Sequence, residues 1–114
     1  MPIDGTLHYI ELPGADIPAT KVFYRKVFDW SFTDYGPDYA AFEACGRDGG
    51  FNAERKVVQG GGPLIVLYSN NLDATEAKVR EAGGEIIGHE QFPGGRRFMF
   101  RDPNGNELAV WTKK

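Results

Sequence analysis

Polar and apolar residues alternate in the first part of the chain and then recur at helical spacing. The segment Leu7-His8-Tyr9-Ile10-Glu11-Leu12 has the two-residue period that predicts a β-strand, and Pro13-Gly14 ends it. From Ala19 to Phe28 the apolar residues follow the helical period instead. Asp16 is a favourable N-cap for this helix, and Pro18 falls in the first turn, where its missing N–H costs nothing. The pattern predicts a strand followed by an amphipathic helix.

Three more strands are predicted in this half of the chain, Trp30–Tyr35, Tyr39–Ala44 and a looser segment, Phe51–Val58. The first two are joined by Gly36-Pro37-Asp38, residue types that favour a tight turn. Gly60-Gly61-Gly62-Pro63 is the clearest linker in the chain, because three glycines and a proline destabilise the interior of a helix or strand. The pattern over residues of about 5–58 therefore predicts one βαβββ module.

The same order of elements repeats after the linker. Leu64–Tyr68 predicts a strand, and Asn71 or Asp73 caps a helix that runs to about Ala82, where Gly83-Gly84 ends it. The strands predicted next are Glu85–Gly88, Arg97–Phe100 and Glu107–Thr112. A second βαβββ module is thus expected over about 64–113.

An offset of 55 residues relates the two halves. It places Ala19-Thr20 of the first predicted helix onto Ala74-Thr75 of the second, and Tyr9 onto Leu64. The matching residues are few, but the order of the elements matches throughout. Internal duplication of a βαβββ module within an α+β fold accounts for this order.

Composition and charge narrow the class of protein. With 114 residues, 41% of them hydrophobic and 25% charged, the chain resembles one globular domain. A formal net charge of −3 argues against a nucleic-acid partner, and no apolar run reaches the roughly 20 residues of a membrane span. Cys45 is the only cysteine, and no signal-peptide pattern follows Met1. We therefore expect a cytoplasmic protein that has neither nucleic acid nor membrane as a partner.

Three stretches resemble the vicinal oxygen chelate superfamily of glyoxalase, bleomycin-resistance and extradiol-dioxygenase proteins. Ile10–Pro13 together with Phe23–Trp30 is similar to the family's first strand and helix end, although Asp29 stands where the family usually has glycine. Asn71–Gly84 is similar to its second helix, and Phe100–Asn106 contains an Asp-Pro-x-Gly-Asn hairpin like the one that closes the family's fold. The three stretches occur in the family's order and span nearly the whole chain.

The resemblance implies a single glyoxalase-like domain over residues 1–114. Its two modules would form a curved mixed sheet that encloses a cup, and the protein would be a homodimer. Catalytic relatives hold a divalent metal in this cup through His, Gln or Glu. The matching positions here are Tyr9, Glu54, Leu64 and Ala109.

These four residues are a poor set of metal ligands. Leucine and alanine have no donor atom, and a neutral tyrosine is a poor ligand for common divalent ions. We therefore expect no metal cofactor. A divalent metal would require His8, which neighbours a ligand position, to be turned into the cup by a β-bulge.

One face of the predicted sheet combines aromatic and polar residues. Because alternate strand residues share a face, the residues expected to bind a ligand there are Tyr9, Glu11, Tyr68, Glu107 and Trp111. Glu11 is the candidate catalytic residue, since a desolvated carboxylate with a raised pKa can act as a general base. The alternative is a structural Glu11, satisfied by a neighbouring Tyr, Arg or backbone amide.

Three functions remain open. The first is a metal-independent protein that binds a small aromatic or carbonyl-containing molecule in an aromatic-lined cup. The second is a lyase, isomerase or dioxygenase of the glyoxalase type. The third is a non-catalytic interaction protein whose cup is filled by its own side chains.

Overall fold

Two helices and eight strands are formed by residues 3–43 and 45–114, the part of the chain that the computed structural model describes. In chain order they are β1 (Ile10–Pro13), α1 (Ile17–Phe28), β2 (Ser31–Asp34), β3 (Tyr39–Glu43), β4 (Gly49–Asn52), β5 (Ile65–Tyr68), α2 (Leu72–Glu81), β6 (Glu85–Phe92), β7 (Gly95–Arg101) and β8 (Glu107–Lys113). A first compact unit ends at Lys56, and a second runs from Val57 to Lys114. Each has the order βαβββ, so the predicted α+β class with two such modules is confirmed.

In the first unit, the strands form a mixed sheet in the order β1-β4-β3-β2. β1 and β4 are parallel, and the other neighbours are antiparallel. The carboxylate of Asp16 caps α1 by accepting a hydrogen bond from the backbone N–H of Ala19. The helix ends at Asp29, whose φ of 61° lies in the left-handed region that glycine favours. Asp29 therefore adopts the conformation that glycine usually supplies at this point of the fold.

Aromatic side chains fill the core of the first unit. Tyr24 of α1 is fully buried and stacks on Trp30, with ring centroids 4.8 Å apart and ring planes 18° apart. It also contacts Phe51 of β4 at 5.0 Å, while Phe42 of β3 lies 4.9 Å from Trp30. Because burial of each large aromatic ring is worth several kcal/mol, this cluster fixes α1 on one face of the sheet and leaves the opposite face open.

The second unit repeats this plan with a longer hairpin. Its sheet has the order β5-β8-β7-β6, with β5 and β8 parallel and the other pairs antiparallel. The side chain of Asn71 caps α2 by accepting from the backbone N–H of Ala74 at 3.1 Å, so Asn71 rather than Asp73 is the N-cap. The buried core residues of this unit are Leu72, Val79, Phe98, Phe100, Leu108, Ala109 and Val110. Neither α1 nor α2 has the length and apolar character needed to cross a membrane.

Several strands differ in extent from the sequence prediction. β1 starts at Ile10 rather than Leu7, and β6 continues past Gly88 to Phe92 across a register shift. The largest difference is β4, which lies at Gly49–Asn52 and not at Phe51–Val58. Two consecutive glycines are unusual in a strand, but the rings of neighbouring residues cover them here. Ala44, the predicted end of β3, lies outside the described residues.

Candidate functional site

The face of the first sheet opposite α1 gathers four polar side chains. Glu11 pairs in register with Gly50, and Tyr39 pairs with Asn52, which places these residues on one face. Tyr9 precedes β1 and has the same parity as Glu11. We call Tyr9, Glu11, Tyr39 and Asn52 the hydroxyl–carboxylate cluster.

Hydrogen bonds join the members of the hydroxyl–carboxylate cluster. The phenol oxygens of Tyr9 and Tyr39 lie 2.6 Å apart. Asn52 Nδ2 donates to Glu11 Oε2 at 3.3 Å. The backbone N–H of Glu54 donates to Asn52 Oδ1 at 2.9 Å, and this bond fixes which end of the amide points at Glu11. The cluster is therefore ordered by contacts between β1, β3 and β4.

Tyr39 is held in its neutral form. Burial raises the pKa of the Tyr39 phenol, and its hydrogen bonds and proximity to Tyr9 and to the Glu11 carboxylate raise it further. A phenol that donates to a carboxylate resists ionisation, because the phenolate would repel that negative charge. Tyr39 thus keeps its phenol proton across the physiological pH range.

Gly50 allows the ring of Tyr39 to lie across β4. A Cβ at this position would be 2.6 Å from Tyr39 Cε1 and 2.7 Å from its hydroxyl oxygen. Any side chain at position 50 would therefore displace the phenol from Tyr9 and Glu11. Gly50 makes the strand hard to predict from sequence, but it is needed for the geometry of the hydroxyl–carboxylate cluster.

Glu11 itself is exposed in the described chain. The desolvation expected from the sequence is therefore not supplied by the residues around it. Its oxygens accept from Asn52 and interact with Tyr39, and solvent reaches the remainder of the carboxylate. The structure thus places Glu11 where a ligand can reach it, next to two phenol groups.

The corresponding face of the second sheet carries three aromatic residues. Tyr68 pairs in register with Trp111, and their rings meet edge to face with centroids 5.0 Å apart. Phe92 lies 6.3 Å from Trp111 on its other side. We call Tyr68, Trp111 and Phe92 the aromatic row. Tyr68 and Phe92 are exposed, so the row presents ring surface to solvent.

Arg97 and Glu90 form an ion pair beside the aromatic row. Arg97 Nη2 lies 2.6 Å from Glu90 Oε1, and both residues line an open recess of about 450 Å³ next to Phe92. Arg96 and Arg97 are adjacent in β7 and therefore lie on opposite faces of the sheet. Arg97 lies on the same face as Trp111, whereas Arg96 donates a hydrogen bond to Asp73 of α2 at 3.2 Å.

Glu107 is engaged in a second ion pair on this sheet. Its carboxylate lies 3.4 Å from Nη2 of Arg101, which also contacts Glu85 at 3.3 Å. The predicted ligand-binding role of Glu107 therefore competes with an existing partner.

The residues at the family's metal positions do not fit a divalent ion. Ala109 is buried and Leu64 has no donor atom, while the Tyr9 phenol is already hydrogen-bonded. The sheet registers also correct the fourth position. Gly50 pairs with Glu11 in the first module, and Ala109 pairs with Val66 in the second. Gly50 is therefore the counterpart of Ala109, and it lies 59 residues earlier in the chain.

The 55-residue offset leads from Ala109 to Glu54, which is why the sequence predicts Glu54 at the fourth position. In the structure Glu54 lies in a turn beyond the end of β4. The offset fails there because the second module has a longer hairpin before its last strand. Across residues 3–43 and 45–114, no group of three His, Cys, Asp or Glu side chains is placed to hold a metal ion.

His8 lies outside the strand that would have turned it into the site. β1 pairs with β4 in continuous register from Ile10 to Pro13, so no bulge in the strand reorients His8. The residue is exposed and lines an open groove of about 500 Å³ with Leu7 and the β3–β4 connection. Within the described residues it therefore has no set of metal-ligating partners.

Tyr39 and Asn52 are the members of the hydroxyl–carboxylate cluster that the sequence did not predict. They are 13 positions apart and become neighbours only through the β3–β4 register. The position of Tyr39 could have been inferred from strand alternation. Tyr39 is the first residue after the Gly36-Pro37-Asp38 turn, and it lies on the same strand face as Ala41, opposite the core residue Phe42. Asn52 lies within the strand predicted over Phe51–Val58, but local sequence does not show the register that brings it to Tyr39.

Comparisons with known proteins agree with this fold. The sequence profile of the Glyoxalase/Bleomycin resistance protein/Dioxygenase superfamily matches residues 6–110. Anthracycline biosynthesis protein DauV from Streptomyces sp. (strain C5) is 29% identical to this chain over an alignment of 130 positions. The alignment covers 96% of this chain and 47% of DauV. The chain thus spans about half the length of this curated relative.

Two solved structures share the fold at low identity. A glyoxalase/bleomycin resistance protein/dioxygenase family enzyme from Burkholderia phytofirmans PsJN has a TM-score of 0.78 at 18% identity, covering 93% of this chain and 97% of its own. Lactoylglutathione lyase from Agrobacterium tumefaciens has a TM-score of 0.74 at 17% identity, with 96% and 95% covered.

Proposed function

Since the chain belongs to the Glyoxalase/Bleomycin resistance protein/Dioxygenase superfamily, we propose that it binds a small aromatic or carbonyl-containing molecule without a metal. The observation that carries this proposal is the hydroxyl–carboxylate cluster. Four polar side chains share one sheet face and form two hydrogen-bonded pairs there, Tyr9 with Tyr39 and Asn52 with Glu11. A few convergent polar groups on an exposed sheet face are typical of small-molecule sites.

The aromatic row supports an aromatic ligand in particular. Tyr68 and Phe92 expose ring surface on either side of Trp111, and a flat ligand can pack against such rings. DauV is named for anthracycline biosynthesis, and anthracyclines are fused-ring aromatic ketones. That relationship supports a ligand of the same chemical class for this chain.

Glu11 favours one alternative, an isomerase or lyase that uses a general base instead of a metal. An exposed carboxylate can remove a proton from a carbon next to a carbonyl group, with the electron pair moving onto the carbonyl oxygen as an enolate. In a substrate whose enolate is conjugated with a carbon–carbon double bond, return of the proton at the far end of the dienolate would complete an isomerisation. The donor set at the metal positions gives no corresponding support to a dioxygenase.

A binding titration tests the proposal. The ¹⁵N-labelled protein is titrated with 1-naphthol and with anthraquinone-2-sulfonate, a phenol and an aromatic diketone, while backbone amide shifts are followed. Saturable shifts at residues 9–11, 50–52 or 109–111 support the proposal. If neither probe produces saturable shifts up to low millimolar concentration, the protein does not bind this class of molecule.

The enzyme alternative has a separate readout. Incubation with acetophenone in D₂O, followed by NMR, measures exchange of the protons next to the carbonyl. Exchange above the buffer rate that is lost in Glu11→Gln would favour the enzyme. Binding without exchange would favour the binding protein.

The homodimer and the cytoplasmic location remain predictions. Light scattering coupled to size-exclusion chromatography measures the first directly, and a mass of one chain would contradict it. Fractionation of cells that produce the protein measures the second.

A further inference from the structure

One hydrogen bond inside the hydroxyl–carboxylate cluster uses a phenol proton. The phenol oxygens of Tyr9 and Tyr39 lie 2.6 Å apart, and either of them can be the donor. One of the two phenol protons is therefore directed within the cluster.

The carboxylate of Glu11 stays available to a ligand as an acceptor. A carboxylate has about four lone-pair positions, and the amide of Asn52 occupies one of them. A carbonyl oxygen brought to this carboxylate would meet lone pairs, whereas an N–H or O–H group would meet acceptors.

Glu11 also has no positive counter-charge of its own. None of the ion pairs formed within residues 3–43 and 45–114 includes it. Nine acidic and six basic side chains lie in the first unit, against seven of each in the second. The formal net charge of −3 is therefore carried by the unit that contains Glu11, and this favours a cation over an anion.

The phenol rings add a second attraction for a cation. Tyr9 is 45% exposed, and Tyr39 is partly exposed beside it with its ring lying across Gly50. Electron-rich aromatic faces attract ammonium groups, and the effect adds to the attraction of a neighbouring carboxylate. The carboxylate and the rings thus select the same kind of group.

We infer that the ligand presents a protonated amine to Glu11, with Tyr9 and Tyr39 beside it, so that the substrate class is an aromatic molecule carrying an ammonium group. This inference rests on the proposed binding function and names the polar end of its ligand. The carbonyl group considered for the ligand would then lie elsewhere in the complex.

Three matched probes test the inference on the full chain. 1-Naphthylmethylamine, 1-naphthylmethanol and 1-naphthoate share one ring system and are cationic, neutral and anionic at pH 7. We expect the amine to bind about five-fold more tightly than the alcohol, with shifts at residues 9–11 and 50–52, and the carboxylate to bind most weakly. Raising NaCl from 50 to 500 mM should reduce the preference for the amine.

Two variants locate the preference. Glu11→Gln should bind amine and alcohol equally, while Glu43→Gln, which removes an exposed carboxylate from the other end of β3, should keep the preference. A dispersed ¹⁵N spectrum verifies that each variant is folded. If the amine has no advantage, or if the advantage survives in Glu11→Gln, the inference is wrong while binding itself stands. If no probe binds, the proposed function fails and the inference fails with it.

Discussion

The phenol oxygens of Tyr9 and Tyr39 lie 2.6 Å apart although 30 positions separate them in the chain. Two strand pairings bring them together, the parallel pairing of β1 with β4 and the antiparallel pairing of β3 with β4. The contact therefore reports the registers of three strands at once. Changes to it should be visible in the ionisation of Tyr39 before they are visible in the fold.

Tyr39→Phe should remove the phenol that ionises at the highest pH. Burial and the Glu11 carboxylate keep this phenol neutral in the folded protein. The folded pKa is raised above the unfolded one, so its stabilising contribution is present below roughly pH 10 and is lost as the pH rises beyond that value. A spectrophotometric phenolate titration checks this.

Tyr35→Phe serves as the control, since Tyr35 is 67% exposed. That variant should keep the latest phenolate step, which Tyr39→Phe removes. At neutral pH, Tyr39→Phe should cost about 1 kcal/mol of the free energy of unfolding. A late ionisation step that persists in Tyr39→Phe would contradict the assignment.

Gly49→Ala and Gly50→Ala should have different consequences although the residues are adjacent. At Gly49 the new methyl group would meet the carbonyl oxygen of Ile10 and the ring of buried Phe42, neither of which can move without disturbing β4. We expect a loss of more than about 3 kcal/mol. At Gly50 it would meet only the outer atoms of the Tyr39 ring, which can rotate away.

Gly50→Ala should therefore stay folded at a cost of roughly 1–2 kcal/mol and lose the contact between Tyr39 and Tyr9. Urea unfolding measures the first effect, and an earlier phenolate titration of Tyr39 measures the second. Equal destabilisation by the two variants would show that the ring of Tyr39 is as constrained as the backbone.

The two tryptophans should separate stability from ligand binding. Trp30 is buried and stacked on Tyr24, so Trp30→Leu should cost about 3 kcal/mol or more. Trp111 is half-buried between Tyr68 and Phe92, and Trp111→Leu should cost less, on the order of 1 kcal/mol. Urea unfolding compares them.

Binding of 1-naphthol should show the reverse order. Trp111→Leu is expected to lower the affinity several-fold through loss of ring contact, whereas Trp30→Leu, under conditions in which it is folded, is expected to bind normally. Unchanged affinity in Trp111→Leu would remove the aromatic row from the site.

Glu76 should make the second unit sensitive to acid. Burial alone would raise the pKa of Glu76, but hydrogen bonds and charge from Arg80 and His89 outweigh it and the pKa is lowered. The stabilisation is therefore present above the unfolded pKa of about 4.5 and is lost as the pH falls through the folded value.

Glu76→Gln should cost roughly 1 kcal/mol at pH 7, and the difference from the unmodified protein should shrink as the pH is lowered below about 4.5. Glu81→Gln, on the exposed side of the same helix, is the matched control and should change little at either pH. Chemical unfolding at several pH values gives the comparison, and a difference that grows on acidification would reverse the sign of the argument.

The helices could be predicted from local sequence because local contacts determine them. Asp16 and Asn71 cap them through hydrogen bonds three residues away, and apolar spacing identifies the buried face. The strand β4 could not be predicted in the same way. Gly49 and Gly50 have low strand propensity, and the rings that cover them belong to β3, a separate part of the chain.

The site was predictable to the extent that it depends on strand parity. Glu11, Tyr68 and Trp111 were placed on the open faces by alternation alone, as the registers have them. Strand alternation shows on which face a side chain lies but not which side chains it contacts. The contact of Tyr39 with Tyr9 and the ion pair of Glu107 with Arg101 could therefore not be predicted. Long-range register supplies that information, and it is a property of the folded sheet.

The matching registers of the two modules also bear on how ligand preference can be altered. Glu11, Tyr39 and Asn52 occupy the backbone positions that Val66, Arg97 and Trp111 occupy in the other module. One scaffold thus tolerates an acidic, a basic, an aromatic and an aliphatic side chain at equivalent places. Those positions are the natural ones to exchange between the halves in a chimeric protein, because the backbone already holds both sets of side chains there.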